Sequence, residues 1–227
     1  MSAIKVLIVD DETDILDLLE YNLQQNNFEV YKATNGIEAL EVAKKTNPKI
    51  IILDVMMPKM DGIETCRRLR EMPEFRQTHI LFLTARVEEY SELAGFDAGA
   101  DDYIQKPIKP RILISRINAI LRRDVEVDTE KPKIIKIKDL EINRETFLVT
   151  KDDGAQIVLA KKEFELLYFL ASKPGKVFSR NVLLENVWGT DVLVVDRTVD
   201  VHIRKLREKI GEDYITTVKG VGYKFEA

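Results

Sequence analysis

The sequence predicts an open parallel α/β sheet followed by a smaller α+β unit. Three observations carry this. Through the first half, short apolar runs alternate with amphipathic stretches at helical spacing. A charged break, "RRDVEVDTEKPK" (122–133), then interrupts the pattern almost without large apolar residues. Beyond it the period changes to an apolar/polar alternation punctuated by turn residues, then returns to helical spacing. At 227 residues the chain is long enough for one large domain or two ordinary ones, and the break favours two: residues 1–123 and 134–227, with 124–133 as linker.

In order, "IKVLIV" (4–9), "FEVYKA" (28–33), "KIIIL" (49–53), "HILFLT" (79–84) and "DYIQ" (102–105) read as five strands. The continuous apolar ones are those of a strand buried on both faces. Between them, "DILDLLEYNLQQ" places Ile15, Leu18, Leu19 and Leu23 at helical spacing, and a last amphipathic stretch covers 110–123. Strands alternating with helices pair in parallel through right-handed crossovers, with helices on both faces. After the break, "IIKIKDLEINRETFLVTKDDGAQIVLA" carries turn signals at "NRET" and "KDDG" and reads as antiparallel strands. Three helices are predicted at about 161–172, 180–188 and 196–210, with Ser179 and Asp196 as N-caps of the last two. "YITTVKGVGYKF" closes as a strand, a glycine-containing tip and a strand.

Composition narrows the function classes. The single cysteine, Cys66, allows no internal disulfide and is read as packing in a helix. No apolar run approaches the roughly 20 residues of a membrane helix, and "MSAIKVLIVDDE" is not built as a signal peptide. A cytoplasmic protein with no membrane partner is expected. The net charge of −4 is uneven: residues 1–123 hold 17 basic and 20 acidic side chains, residues 134–227 hold 16 and 15. Nucleic-acid binding in the second half must therefore rest on local clustering.

In "IIILDVMMPKMDG" (50–62) an apolar run ends in one carboxylate, Asp54, followed by a Pro/Gly turn. In an open parallel sheet, ligands bind at the carboxyl ends of the strands. Asp10 and Asp11 follow the first strand, Thr84 ends the fourth, and Lys106-Pro107 ends the fifth. With strand order 2-1-3-4-5 the three aspartates meet in one crevice. Three ionised carboxylates that close demand a cation or raised pKa values, and hard oxygen donors suit Mg²⁺. A carboxylate left partly uncoordinated is a nucleophile toward phosphorus, with Thr84 and Lys106 able to meet the phosphoryl oxygens. Taken singly, each feature has a bland explanation: "DDE" before a helix as a cap with favourable dipole charges, Lys106 as a turn residue. Their joint occurrence at the ends of four strands is what favours a site.

These residues carry a resemblance. Asp10-Asp11, "DVMMPKMDG", "LTAR", "GADDY" and Lys106-Pro107 occur in the order and spacing of the receiver domain of two-component response regulators, over residues 4–123. The resemblance implies a flavodoxin-like fold and a phosphoaspartate at Asp54. It implies Mg²⁺ held by Asp11, Asp54 and the Met56 carbonyl, with Asp10 assisting through water, and Thr84 and Tyr103 as a switch pair. It also implies a sensor histidine kinase as phosphodonor and a dimer face bearing Asp97, Asp101, Arg116 and Arg122. Another bridge of that face falls at Glu92 and Ile112, so it cannot form as in the family.

The predicted helix "DRTVDVHIRKLREKI" has an apolar stripe, Val199, Ile203, Leu206 and Ile210. Roughly opposite lie Arg197, Val201, Arg204 and Lys205, with His202 at one edge and Glu208 on the same face. A basic, donor-rich helix face suits the major groove. Residues 134–227 resemble the winged-helix effector domain of the OmpR/PhoB subfamily, through "KEFELLYFLASKPGKVFSRNVLLENVWG", "DRTVDVHIRKLREKIG" and "YITTVKGVGYKF". By that resemblance Arg197, Thr198, His202, Arg204 and Lys205 face double-stranded DNA at a direct-repeat operator. Lys219 lies on the wing near the minor groove, and 189–195, "GTDVLVV", meets RNA polymerase. Ala160 stands where the family has a threonine N-cap.

The expectation is thus a phosphorylation-activated DNA-binding transcription regulator that dimerises through its receiver. Beyond Mg-dependent phosphoryl acceptance and self-dephosphorylation, no enzymatic activity is expected. Two alternatives are weaker. A flavoprotein of this fold needs a Ser/Thr/Gly phosphate loop where "DDETD" stands, and an aspartyl phosphatase usually carries a second Asp where Met56 stands. A constitutive DNA-binding dimer would leave the acidic cluster without a role.

Overall fold

The structure is a computed structural model and describes residues 3–84, 98–126, 132–189 and 197–226, except the side chains of 123–126 and 197. The chain divides into two compact units, Met1–Arg122 and Arg123–Ala227. Elements are numbered among the described residues.

In the first unit, β1 (Ile4–Val9), β2 (Phe28–Ala33), β3 (Ile50–Asp54), β4 (His79–Thr84) and β5 (Asp102–Gln105) form one sheet in the order β2-β1-β3-β4-β5. All pairings are parallel, with Val9 opposite Leu53, Asp54 opposite Leu83 and Thr84 opposite Gln105. Every residue of β3 and β4 is buried, as their continuous apolar runs require. α1 (Thr13–Gln24) and α4 (Pro110–Glu126) cover one sheet face through Leu16, Leu19, Leu23, Leu113 and Ile117, packed on Val6, Ile8, Ile50, Ile52, Leu81 and Leu83. By alternation, Leu7, Val9, Ile51 and Leu53 bury the opposite face. α2 (Gly36–Thr46) and α3 (Gly62–Glu71) bury Ala39, Ala43, Cys66 and Leu69. Each fully buried Leu, Ile or Val of these contributes about 1.5–3 kcal/mol. Leu18, expected in the α1 stripe, is 45 % exposed and Leu16 replaces it. The stripe that meets the sheet is Leu16, Leu19 and Leu23, and Leu18 falls to its side.

α4 continues through Glu126, into the stretch read as linker. In the second unit, β6 (Ile134–Ile137), β7 (Leu140–Asn143), β8 (Leu148–Lys151) and β9 (Gln156–Ile157) form an antiparallel meander in chain order. Its turns use the residues that signalled them. Asn143 Oδ1 accepts the Glu145 and Thr146 N–H groups, and Gly154 supplies φ +83°. α5 (Lys161–Ala171), α6 (Arg180–Val187) and α7 (Arg197–Ile210) follow. β11 (Ile215–Val218) and β12 (Gly222–Phe225) close the chain as a hairpin. A two-residue strand, β10 (Phe178–Ser179), pairs with β12 and was not foreseen; its brevity leaves no period to read. One core joins meander, helices and hairpin, with Trp188, Phe164 and Phe225 among its largest members.

Ser179 caps α6 by accepting the Val182 N–H at 3.3 Å. Asp196, expected to cap α7, lies outside the described residues. At α5 half of a capping box exists: Glu163 Oε2 accepts the Ala160 N–H at 2.8 Å, but alanine has no oxygen to return to the helix. Ala160→Ser should complete it. The expected result is a gain of about 1 kcal/mol, read as a higher unfolding midpoint in urea with an unchanged slope.

Candidate functional site: an acidic cleft and a basic helix

The carboxyl ends of β1, β3, β4 and β5 bring Asp10, Asp11, Asp54, Thr84 and Lys106 together. One carboxylate oxygen from each of Asp10, Asp11 and Asp54 lies within 4.8 Å of the others. Asp10 and Asp54 are buried and Asp11 is exposed. Lys106 Nζ sits 2.9 Å from Asp10 Oδ2, 3.1 Å from Asp54 Oδ1 and 3.4 Å from Glu12 Oε1. Backbone donors hold the remaining oxygens: Glu12 N–H to Asp10 Oδ1 at 3.0 Å, and Met56 N–H to Asp54 Oδ2 at 3.2 Å. The bland reading of "DDE" as a helix cap loses ground here, since Glu12 occupies the N-cap of α1 without a side-chain cap bond among the described residues.

The chemistry of the donor set fits a hard cation. All ligating groups are oxygens, and the Lys106 ammonium meets three carboxylates, those of Asp10, Glu12 and Asp54. Asp10 Oδ2 is buried with no aligned hydrogen-bond donor among the described residues, so only the ion-pair contact meets it. Burial pushes the Asp54 carboxyl from 3.8 up to about 6. The hydrogen bond and charge of Lys106 oppose this, Asp10 adds to it, and the Met56 N–H pulls it back. Desolvation alone would depress Lys106, but Asp10 and Asp54 outweigh it and hold its ammonium above the ordinary value.

The Asp54 shift makes a prediction about stability. The folded chain holds this proton more tightly than the unfolded chain. The contribution is therefore fully present below the unfolded value of 3.8 and lost as pH rises through about 6. Without divalent cations, about 2–3 kcal/mol should disappear from this group between pH 4 and pH 7. Asp54→Asn removes the term, so its thermal-melting advantage over the parent chain, both in chelator, should widen from pH 5 to pH 7.5. A pH-independent difference would mean that Asp54 is ionised throughout.

The turn after Asp54 is shaped by close packing. Lys59 has φ +66°, Gly62 N–H donates to the Val55 carbonyl at 3.0 Å, and Asp61 caps α3 by accepting the Glu64 N–H at 2.8 Å. A Cβ on Gly62 would stand 2.1 Å from the Asp54 carbonyl oxygen. The glycine thus lets the first turn of α3 press directly on the backbone that carries the carboxylate.

Thr84 is buried at the end of β4, and its carbonyl accepts the Lys106 N–H at 2.8 Å. The Lys106-Pro107 bond is cis. Tyr103 is buried with its ring 5.4 Å from that of Phe82, its neighbour across the β4–β5 pair. Two residues expected on an outward dimer face are corrected. Asp101 is 1 % exposed and accepts from Arg70 Nη2 at 2.7 Å and the Ile80 N–H at 2.8 Å. Arg116 is 6 % exposed and donates from Nη1 to Asp102 Oδ2 at 2.9 Å and the Tyr103 carbonyl at 3.1 Å. Each is held inside its own unit, because a buried charge requires a nearby counter-charge. Arg122 is exposed and Ile112 is 47 % exposed. Asp97 and Glu92 lie outside the described residues.

On α7, Val199, Ile203, Leu206 and Ile210 are buried as the stripe predicts. Arg204 is exposed beside Glu208 at 3.7 Å, Lys205 is half-buried, and Lys219 is exposed at a hairpin tip where Gly220 has φ +76°. Three residues of the supposed outer face are corrected. Thr198, Val201 and His202 are all buried. The His202 ring meets Trp188 edge-on at 4.8 Å, and its Nδ1 is 2.8 Å from the Thr198 carbonyl. Trp188 covers the flank of α7, so the buried arc is wider than the stripe. The side chain of Arg197 and residues 190–195 lie outside the described residues.

Sequence reasoning missed a polar cluster behind the helix. Arg180 Nε and the Tyr223 hydroxyl each donate to Asp200 Oδ1 at 2.7 Å, and Arg180 Nη2 donates to the Tyr223 oxygen at 3.2 Å. The three residues stand 20 to 43 positions apart, and no local pattern links them.

An acidic cleft at the carboxyl ends of a doubly wound parallel sheet, joined to a three-helix unit with a closing hairpin, defines a DNA-binding transcription regulator with a receiver domain. Residues 6–118 match the family described as response regulator receiver domain, and 154–225 match transcriptional regulatory protein, C terminal. The chain is 43 % identical over 233 aligned positions to the transcriptional regulatory protein SrrA of Staphylococcus aureus, covering 98 % of this chain and 95 % of that one. Among solved structures it is similar to the response regulator DrrB, an OmpR/PhoB homolog of Thermotoga maritima. That likeness has 37 % identity and a TM-score of 0.52 over 99 % of this chain and 100 % of that one. It is also similar to a C128D mutant of RitR, with 30 % identity and a TM-score of 0.81 over the same shares. The chain belongs to the response-regulator family, in its OmpR/PhoB branch. No helix among the described residues is long and apolar enough to cross a membrane.

Proposed function

We propose that Asp54 receives a phosphoryl group from a sensor histidine kinase, and that this controls binding of the second unit to promoter DNA. One observation carries the reading: Asp54 lies beside Asp10 and Asp11 with Lys106 3.1 Å from its Oδ1. The Asp54 carboxylate attacks phosphorus, the histidine nitrogen leaves, and an acyl phosphate forms. Lys106 moves from carboxylates to phosphoryl oxygens, and Thr84 supplies a hydroxyl to them. Asp11, Asp54 and the Met56 carbonyl would hold Mg²⁺, with Asp10 acting through water, and the bound ion would neutralise charge that builds up in transfer. Water later hydrolyses the acyl phosphate.

Phosphorylation draws Thr84 toward Asp54, Tyr103 follows, and the receiver dimerises. Asp97 and Arg122 belong to that dimer face, whereas Asp101 and Arg116 are engaged within the receiver. Two second units then occupy a direct repeat with half-sites about one helical turn apart, and segment 189–195 meets RNA polymerase. The protein works in the cytoplasm.

Arg197, Arg204 and Lys205 meet DNA from α7, and Lys219 from the hairpin tip. Arg204 reaches a base edge: it is exposed on α7 and offers a planar fork of donors. Arg204→Ala should cost about 1–3 kcal/mol and relax sequence preference at one position. Lys219→Ala should weaken all sequences alike and lower the salt slope by about one. Affinity of the phosphorylated chain for duplexes enriched from a random-sequence library tests both. Full affinity and unaltered preference in both variants would place the DNA surface elsewhere.

A further inference from the structure

The cluster of Arg180, Asp200 and Tyr223 belongs to three elements that no local sequence pattern joins. Arg180 opens α6, Asp200 lies one turn before Arg204 on α7, and Tyr223 sits on β12, the strand that returns from the Lys219 tip. Asp200 Oδ1 accepts from both Arg180 Nε and the Tyr223 hydroxyl at 2.7 Å. The Arg180 guanidinium also lies over the Tyr223 ring, 5.0 Å from its centroid, and donates to the phenol oxygen at 3.2 Å. All three edges of the triangle are therefore closed. The side chains of Arg180 and Asp200 keep 30 % and 41 % exposure, so the triangle stands at the surface.

We infer that Arg180, Asp200 and Tyr223 are positioning residues for DNA reading, clamping α7 and the hairpin in the one relative register that lets Arg204 and Lys219 engage adjacent grooves together. The inference rests on the DNA reading proposed above. A carboxylate one turn from Arg204 would repel phosphates if left alone, and Arg180 cancels that charge. Committed to Asp200 and Tyr223, the Arg180 fork has spent its geometry on protein. Its loss should act through the orientation of other residues.

A positioning role and a phosphate contact differ in salt dependence. Removing a phosphate contact lowers the salt slope by about one and weakens every sequence alike. Removing a clamp leaves the slope and lowers the ratio of specific to non-specific affinity. The test uses the phosphorylated full-length chain, an enriched duplex from a random-sequence library, and an unrelated duplex. Arg180→Ala should lower the affinity ratio by about tenfold or more at unchanged slope. Arg180→Lys, which keeps the charge but not the fork, should restore only part of it. In an Asp200→Asn background the further effect of Arg180→Ala should shrink, because the two share one interaction. Tyr223→Phe removes one hydroxyl and keeps the ring, so it remains informative should Arg180→Ala fail to fold; it should lower the ratio in the same direction. A slope reduced by about one in Arg180→Ala, or an unchanged ratio in Tyr223→Phe, would overturn the inference. Arg204→Ala is run beside them. If it too keeps the parent ratio, the DNA reading has failed and not the clamp alone.

Discussion

Asp54→Asn should take up no phosphoryl group. With Mg²⁺ and a small acyl phosphate donor, the parent chain should gain one group, labile to base and to hydroxylamine. Asparagine preserves the shape of a buried side chain, but it has no carboxylate to form the acyl phosphate. Asp10, Asp11 and Lys106 stay in place, so the variant separates loss of the nucleophile from loss of the site. Chelation of Mg²⁺, or Asp11→Ala, should suppress uptake with Asp54 present, because three carboxylate oxygens within 4.8 Å leave charge that one ammonium does not cancel. DNA affinity of Asp54→Asn should no longer respond to the phosphodonor. Undiminished labelling would move the acceptor to another residue.

Gly62→Ala should cripple phosphoryl uptake without touching a charged group. Its Cβ would sit 2.1 Å from the Asp54 carbonyl oxygen and 3.0 Å from the Asp54 carbonyl carbon and the Val55 Cα. All three are backbone atoms, and a flexible side chain cannot swing aside to make room. Either α3 retreats or the end of β3 shifts, and the second displaces the carboxylate. Displacement of a reacting group by about 1 Å costs on the order of a hundredfold in rate. The overpacking should also cost about 1–3 kcal/mol of stability. Initial rates of uptake and urea unfolding midpoints test the two parts. Gly154→Ala is the control: φ is +83°, so the residue is strained, but nothing lies within 4 Å of its Cβ and it belongs to the other unit. It should lose stability and keep the parent rate. A parent-like rate in Gly62→Ala would mean that α3 yields and Asp54 does not.

Strand positions in the middle of the first unit were legible because β3 and β4 are buried on both faces. A continuous apolar run bounded by turn residues has few other readings, and the alternation with helices forces parallel pairing. The acidic site followed at once. Parallel strands all end on the same side, so residues placed after successive strands converge whatever their separation in the chain. Hence Asp10, Asp54, Thr84 and Lys106 could be brought together before any distance was known. Asp54 proved to be the last residue of β3 and not the first of its loop, which fixes its backbone in the sheet.

What the sequence determined by itself was therefore the set of parallel strands, the donors at their carboxyl ends, the charged break, and the buried stripe Val199, Ile203, Leu206 and Ile210; that β1 and β3 are neighbours, which closes the crevice, is seen in the assembled sheet. Tertiary structure alone decided which polar residues are spent on the protein itself. His202 lies on the flank of α7 that Trp188 covers, and a helical period marks a face without naming what packs beside it. Asp101 and Arg116 look like surface charges until Arg70 and Asp102 are seen against them. The Arg180–Asp200–Tyr223 triangle exists only once α6, α7 and β12 are assembled. The physical reason is the same in each case. Periodicity reports interactions between near neighbours in the chain, whereas the burial and pairing of a charge depend on residues brought close by folding.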